Sequence, residues 1–367
     1  MLVDEPIVGT RDSLVNALND LGNLRVIPQE WKSPILLREF TKISANRDIQ
    51  FEYRILRALT ENSKMASRLY YHKSFTSPPV SPRSSNEMGS ISRRDRYRNI
   101  LPFGENRVVL SGGGYINASY MPNLSGSNKK AFIACQGPLS NTIADQWEMI
   151  WSENVKAIFA IGKLYEGDTE KCAPYWPSSD SSPHMTVHYK PESINQTATS
   201  QYDLQLVRED SLCNGELIRR EIKLTSNNGE SRNVIHYHFL GWPDHTAIKS
   251  SSMLLTLVKR MHMFRSHFPN NPVVVHCSAG VGRTGCALTM CHVIESLEHS
   301  VHRTANLANE SISILSIAIN LRRYRLYMMQ TTDQYVSVFQ TTAYLLNQYS
   351  VRQDGVLFPD LPLEELK

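Results

Sequence analysis

Cys277 and Arg283 stand six residues apart in the stretch Val273-Val274-Val275-His276-Cys277-Ser278-Ala279-Gly280-Val281-Gly282-Arg283-Thr284-Gly285. A cysteine is a nucleophile only as its thiolate. An arginine presents a planar fork that holds two anionic oxygens at once. Ser278, Ala279, Gly280, Val281 and Gly282, which separate them, carry little bulk. Several backbone N–H groups of such a loop can converge on one anion. The combination suits attack on a phosphate monoester through a thiophosphate intermediate. For a cysteine and an arginine at this spacing alone, a plain strand-to-helix turn with an inert buried thiol is an equal alternative. The full string of residues weighs against it.

The elements that must position this loop are legible on either side. Pro272 opens a short run, Val273 to Val275, that predicts a buried strand. After the loop, Ala287, Met290, Cys291, Ile294 and Leu297 recur at helical spacing. The loop therefore joins the carboxyl end of a strand to the amino end of a helix. Backbone N–H groups there lack internal partners, and the helix dipole adds partial positive charge. That field would favour a thiolate at Cys277.

Displacement of an alkoxide or phenoxide needs a proton donor. Asp244, in Gly241-Trp242-Pro243-Asp244-His245-Thr246-Ala247, is the candidate, with Trp242 and Pro243 as rigid, apolar seating. Without a phosphate site it would read as an ordinary turn residue. His236 and His238 alternate in the preceding strand-like run. A metal pair would want neighbouring cysteine or carboxylate ligands, and the run has none, so they are expected to flank the sheet. No metal and no organic cofactor is called for.

The chain has 367 residues, 41% hydrophobic and 20% charged, with a formal net charge of +4. This is ordinary globular composition, mildly basic and with scattered cations, which argues against a nucleic-acid binder. A small positive excess does suit a negatively charged partner. None of the six cysteines forms a CxxC pair, so zinc-finger and thioredoxin readings lack support. No signal-peptide pattern opens the chain, and no apolar run approaches the roughly 18 residues of a membrane helix. The expectation is a soluble, cytoplasmic protein with free thiols, in which sequons at Asn123, Asn195 and Asn309 carry no glycan.

Residues 12–72 show helical spacing: Leu14, Leu18, Leu21 and Leu24, then Ile35, Leu36, Phe40 and Ile43, then Phe51, Ile55, Leu56 and Leu59. Residues 74–92 are rich in serine and proline and predict a flexible connection, where Ser77 and Ser81 each precede proline. From there strands and helices alternate. Residues 131–135 and 155–162 predict buried strands. Between them, Thr142 with Asp145 signals a helix start before an apolar face of Ile143, Trp147, Ile150 and Trp151. Three strand-like runs follow before Asp244, and a helix after it turns Met253, Leu257, Met261 and Phe264 inward. The fold class is α/β: a highly twisted, mixed β-sheet flanked by helices on both faces.

At this point the chain resembles the tyrosine-specific, cysteine-dependent protein tyrosine phosphatases of non-receptor type. The resemblance covers roughly residues 93–345. Residues 94–110 resemble the phosphotyrosine recognition loop, 114–121 and 132–151 the core segments, and 166–177 the segment that buttresses the site. Residues 242–247 resemble the mobile acid loop, 276–285 the phosphate loop and 330–335 the glutamine loop. The organisation implied is an N-terminal helical extension (1–73), the flexible connection (74–92), a single catalytic domain (93–346) and a C-terminal tail (347–367).

The resemblance also implies roles. Cys277 is the nucleophile, Arg283 the phosphate clamp and Asp244 the general acid. Thr284 serves Cys277 as the intermediate breaks down, and His276 orients the loop and keeps the thiol ionised. Gln330 positions the hydrolytic water with help from Gln334. Tyr97 stacks on the substrate ring and sets a pocket depth that phosphoserine cannot span. Asn99 contacts the substrate backbone. Glu166 braces Arg283, Tyr175 supports the His276 region and Lys171 approaches the closed acid loop. The expected partners are phosphotyrosine-containing proteins as substrates, with no nucleic acid and no transmembrane segment, and the chain itself is expected to be a monomer.

Several positions depart from the family pattern. Arg94-Asp95 replaces Lys-Asn, Asn99 stands where Asp is frequent, Thr246 and Ile248 replace Gly and Pro, Cys135 replaces Thr, and Tyr327 fills a position that is Gly in some members. Asn99 should lower peptide affinity, Thr246 and Ile248 bear on acid-loop closure, and Tyr327 should close off a second phosphotyrosine site beside Arg322. The alternatives are a phosphotyrosine-binding pseudophosphatase, against which Cys277 and Asp244 both count, and a dual-specificity or lipid phosphatase, against which Tyr97 counts.

Overall fold

The computed structural model describes residues 35–61, 63–69, 94–191, 199–242, 248, 250–304 and 310–351. The expected helix around Leu14 to Leu24, the connection with Ser77 and Ser81, and the acid-loop residues 243–247 lie outside them.

Strands are, in chain order, β1 (Ile35–Leu36), β2 (Arg107–Val109), β3 (Tyr115–Met121), β4 (Phe132–Cys135), β5 (Ala157–Ile161), β6 (Tyr165–Glu166), β7 (Thr169–Glu170), β8 (His184–Tyr189), β9 (Ser200–Leu212), β10 (Leu217–Ser226), β11 (Ser231–Phe239), β12 (Val273–His276) and β13 (Ser311–Ile312). Helices are α1 (Phe40–Asn46), α2 (Ile49–Thr60), α3 (Ser63–Ala66), α4 (Ile143–Ser152), α5 (Ser251–His267), α6 (Gly282–Thr304), α7 (Ile314–Tyr324) and α8 (Thr332–Val351).

Nine strands form one sheet in the order β2-β3-β4-β12-β5-β11-β10-β9-β8. The four central strands, β4, β12, β5 and β11, run parallel, and antiparallel ladders extend the sheet to both edges. Central parallel strands are covered on both faces, which is why β4, β5 and the valines of β12 are apolar and fully buried, while β11 is buried only from Val234 onward. Along β12, Val273 and Val275 face one core and Val274 the other, as a period of two requires. α4 covers the second face, where buried Trp147 donates its indole N–H to the Tyr175 carbonyl (2.7 Å). The first face carries α5 to α8, with α2 against α7 and α8.

Three sequence expectations change. Ile35 and Leu36 are extended, because β1 pairs with β13 (Ile35 opposite Ile312); a 3-10 turn follows at Leu37–Glu39 and the α-helix begins at Phe40. The Thr142 side chain makes no cap to α4; its hydroxyl binds Leu139, and Asp145 pairs with Arg94 at 2.7 Å. The stripe expected on α6 is instead a helix buried all round from Gly282 to Ile294, because α5, α7 and α8 surround it. α8 runs from Thr332 to Val351. Among the described residues, no helix is long and apolar enough to cross a membrane.

Candidate active site

β12 delivers His276 and α6 starts at Gly282, so Cys277 to Val281 form the connecting loop. Cys277 lies buried at its base. The Ser278 carbonyl accepts from the Gly137 N–H (2.9 Å). The Ala279 and Gly280 carbonyls accept from Nη2 and Nε of Arg325 (3.1 and 2.9 Å). In a planar trans peptide the N–H points opposite its carbonyl. Tying back three successive carbonyls therefore turns the N–H groups of Ala279, Gly280 and Val281 to the other side of the loop. Gly280 has φ +69°, and a Cβ there would lie 2.0 Å from the Cys135 carbonyl oxygen. Only glycine meets both demands.

Arg283 is buried in the first turn of α6. Its Nη2 donates to Glu166 Oε1 (2.8 Å) and its Nη1 to the Trp242 carbonyl (3.1 Å). The β6–β7 hairpin presents Glu166, whose other oxygen lies 3.7 Å from Lys171 Nζ. A Cβ at Gly162 would lie 1.7 Å from Arg283 Nη1, so this glycine leaves the guanidinium its room.

His276 is bonded at both ring nitrogens. Nδ1 lies 3.2 Å from the Cys277 carbonyl oxygen and Nε2 lies 2.7 Å from the Tyr175 hydroxyl. A carbonyl only accepts, so Nδ1 carries the hydrogen. Burial above all pushes the imidazole down to about 4. A neutral ring then accepts at Nε2 from Tyr175, so His276 acts on the loop through two hydrogen bonds rather than a positive charge. Beneath it, His236 and His238 pack on Trp176, with ring centroids 4.3 and 4.9 Å away. Burial lowers both, His238 to about 4. Among the described residues, no cluster of three or more His, Cys, Asp or Glu could hold a metal.

The half-buried Tyr97 shares a hydrogen bond with Ser278 Oγ (2.9 Å), and Asn99 is exposed in the turn beyond it. Arg96 holds that segment down, donating to the carbonyls of Gly137 (3.1 Å), Pro138 (2.7 Å) and Glu170 (2.8 Å). Asp95 Oδ1 accepts from the Tyr115 hydroxyl (2.5 Å) and from Asn117 Nδ2 (2.8 Å), two bonds that an asparagine oxygen could also accept. Cys135 is buried against Gln146, and burial pushes its thiol up to about 12.

At the opposite rim, Gln334 Oε1 accepts from the backbone N–H groups of Gln330 (2.8 Å) and Thr331 (3.2 Å). A Cβ at Gly282 would lie 2.7 Å from Gln334 Nε2, which places that amide beside the loop. Thr284 Oγ1 is buried and has no hydrogen-bond partner among the described residues. Asp244 and Thr246 fall outside those residues. The chain on either side is anchored: Trp242 is fully buried, and the N–H of buried Ile248 donates to Ser337 Oγ (3.2 Å).

The sequence expectations thus meet around one loop: Cys277, Ser278 to Gly282, Arg283, Tyr97, Glu166, His276, Tyr175 and Gln334. Arg325 and Gly162 were not foreseen. Arg325 is buried and also donates to Asn117 Oδ1 (2.7 Å) and Ser119 Oγ (3.1 Å). In sequence it is one more cation after Arg322-Arg323, and Gly162 reads as a strand end.

Comparison with known proteins places this geometry. A family model described as protein-tyrosine phosphatase matches residues 91–344. Tyrosine-protein phosphatase non-receptor type 7 of Rattus norvegicus is 34% identical over 72% of this chain and 67% of its own length. Receptor-type tyrosine-protein phosphatase eta of Gallus gallus is 32% identical over 76% of this chain, which spans only 18% of that relative. Non-receptor type 13 of Mus musculus is 33% identical over 74% of this chain and 10% of its own length. Among solved structures, the catalytic domain of human protein tyrosine phosphatase non-receptor type 18 superposes with a TM-score of 0.65 at 25% identity, covering 84% of this chain and 99% of that one. The chain belongs to the protein-tyrosine phosphatase family.

Proposed function

We propose that this chain hydrolyses phosphotyrosine in proteins through a cysteinyl-phosphate intermediate, releasing tyrosine and inorganic phosphate and so down-regulating signals. The observation that carries this is the loop itself. Cys277 lies buried under N–H groups turned to one side by Gly137 and Arg325, and Arg283 stands braced by Glu166. The N–H groups from Ser278 to Gly282 and the Arg283 fork take the phosphate oxygens. The Cys277 sulfur attacks phosphorus, and the P–O bond to tyrosine breaks. Asp244 gives its proton to the departing oxygen. A water held by Gln330 and Gln334 then attacks phosphorus and yields its proton to Asp244. The S–P bond breaks, and Thr284 donates its buried hydroxyl to the returning thiolate.

Tyr97, held by Ser278, walls a pocket deep enough for a phosphorylated ring, and Asn99 meets the peptide backbone. Trp242 and Ile248 anchor the chain on either side of the acid loop, and Lys171, beside Glu166, is the cation that approaches the loop when it closes. The non-receptor type 18 relative has been solved in complex with HER2 phosphopeptides, which supports a phosphotyrosine protein as substrate. All six cysteines are free, which supports a cytoplasmic setting. The same proposal takes residues 93–346 as the catalytic domain.

Hydrolysis of a phosphotyrosine peptide by the wild type, Cys277→Ser and Asp244→Ala tests it, with phosphate release and peptide binding both recorded. The wild type should turn over, Cys277→Ser should be inactive, and Asp244→Ala should be slower by about a hundredfold or more while still binding. A wild type that binds without turnover is a phosphotyrosine trap, and faster turnover of phosphoinositide than of peptide makes it a lipid phosphatase. Either result ends the proposal.

A further inference from the structure

We propose that Tyr53 and the C-terminal end of α2, which lie outside the expected catalytic domain, are positioning elements for Gln330 and act on the hydrolytic half of the reaction. The inference rests on the phosphatase mechanism proposed above. Gln330 follows Met329, whose φ is +57°, a left-handed conformation that a side-chain-bearing residue keeps only when its surroundings impose it. Those surroundings come from two places. The Met329 N–H donates to the Val281 carbonyl of the phosphate loop (3.0 Å). The Met329 carbonyl accepts from the Tyr53 hydroxyl (3.2 Å) and from Arg322 Nη2 (2.8 Å).

Arg322 is itself set by α2. Its Nη1 donates to Thr60 Oγ1 (3.0 Å) and to Glu61 Oε1 (2.8 Å), and its Nε donates to the Met328 carbonyl (2.8 Å). On the far side of Gln330, buried Glu52 accepts from the Tyr335 hydroxyl (2.5 Å). One helix therefore grips the chain both before and after Gln330. In this network α2 reaches the phosphate loop only through Met329 and the Val281 carbonyl, and it makes no bond to Cys277 or Arg283, so its effect falls chiefly on the second displacement. The second depends on where the Gln330 amide holds one water.

The test uses the full-length chain with para-nitrophenyl phosphate in the presence of glycerol, comparing wild type with Tyr53→Phe and, independently, Thr60→Val. The initial burst of nitrophenol on mixing measures the first step, and the division of phosphoryl groups between water and glycerol measures the second. Both substitutions keep the core shape. Transfer to glycerol relative to water should rise about threefold to tenfold, the weight of one buried hydrogen bond, with the phenol-forming step unchanged. An unchanged division overturns the inference, and so does an equal fall in both steps, which is what mere loosening of the fold would give. Absence of phenol from wild type and variants alike overturns the phosphatase mechanism itself.

Discussion

The phosphate loop and the glutamine loop meet at Val281 and Met329, yet they are built differently. The first takes its left-handed turn at a glycine, Gly280 (φ +69°). The second takes two, at Tyr327 (φ +66°) and Met329 (φ +57°), with no glycine at either position. A loop shaped by its own residues carries its conformation in its sequence. A loop shaped by partners borrows its conformation from them, here from α2 and from Val281. The same stretch also lends support in return, because Arg325 leaves it to hold the carbonyls of the phosphate loop.

The largest way to break this contrast is Gly280→Ala. The added methyl meets the Cys135 carbonyl at 2.0 Å, so the loop must move and carry its N–H groups off the phosphate. Turnover should fall by about a hundredfold or more, and inhibition by inorganic vanadate should weaken with it. Retained vanadate affinity would show that the loop tolerates a side chain. Next comes Arg325→Met, which removes a buried cation with four acceptors, the carbonyls of Ala279 and Gly280 and the side chains of Asn117 and Ser119. Leaving these unsatisfied should lower unfolding stability by about 3 kcal/mol. Urea unfolding at an unchanged midpoint and slope would mean that the loop holds its own carbonyls in place.

The contrast also sets how far the sequence could be read. Cys277, the glycines and Arg283 lie within one short string, and the flanking periods named the strand and helix that present it. Tyr97, Glu166 and Gln330 came through ordered motifs of a known family. Arg325 and Gly162 did not, because their identity as supports exists only after distant segments meet: a buried arginine looks like a surface one in sequence. Ile35 and Leu36 failed for a related reason. Their spacing matches a helix, but β13, close to three hundred residues onward, supplies a ladder that local pattern cannot show.

The remaining effect is graded with pH, and it has opposite signs in the two regions. Under the phosphate loop, His276 and His238 are pushed from 6.5 down to about 4, chiefly by burial. The unfolded chain binds more protons than the folded one between those values, so stability is whole above about pH 6.5 and is lost as pH falls toward 4. Each histidine contributes a slope of about 1.4 kcal/mol per pH unit in that window. At the seam beneath the glutamine loop, burial raises the Glu52 carboxyl above its ordinary 4.5, against the opposing pull of Arg47 and Tyr335. There the folded chain binds the extra proton, so stability is whole below 4.5 and is lost as pH rises through the raised value. The two trends partly cancel in the wild type, and single substitutions separate them. Urea midpoints across pH 4 to 7 should show a shallower rise with pH for His238→Gln and a steeper one for Glu52→Gln. Parallel curves for all three proteins would mean that neither buried group changes its proton affinity on folding, and the two loops would then not differ in this respect.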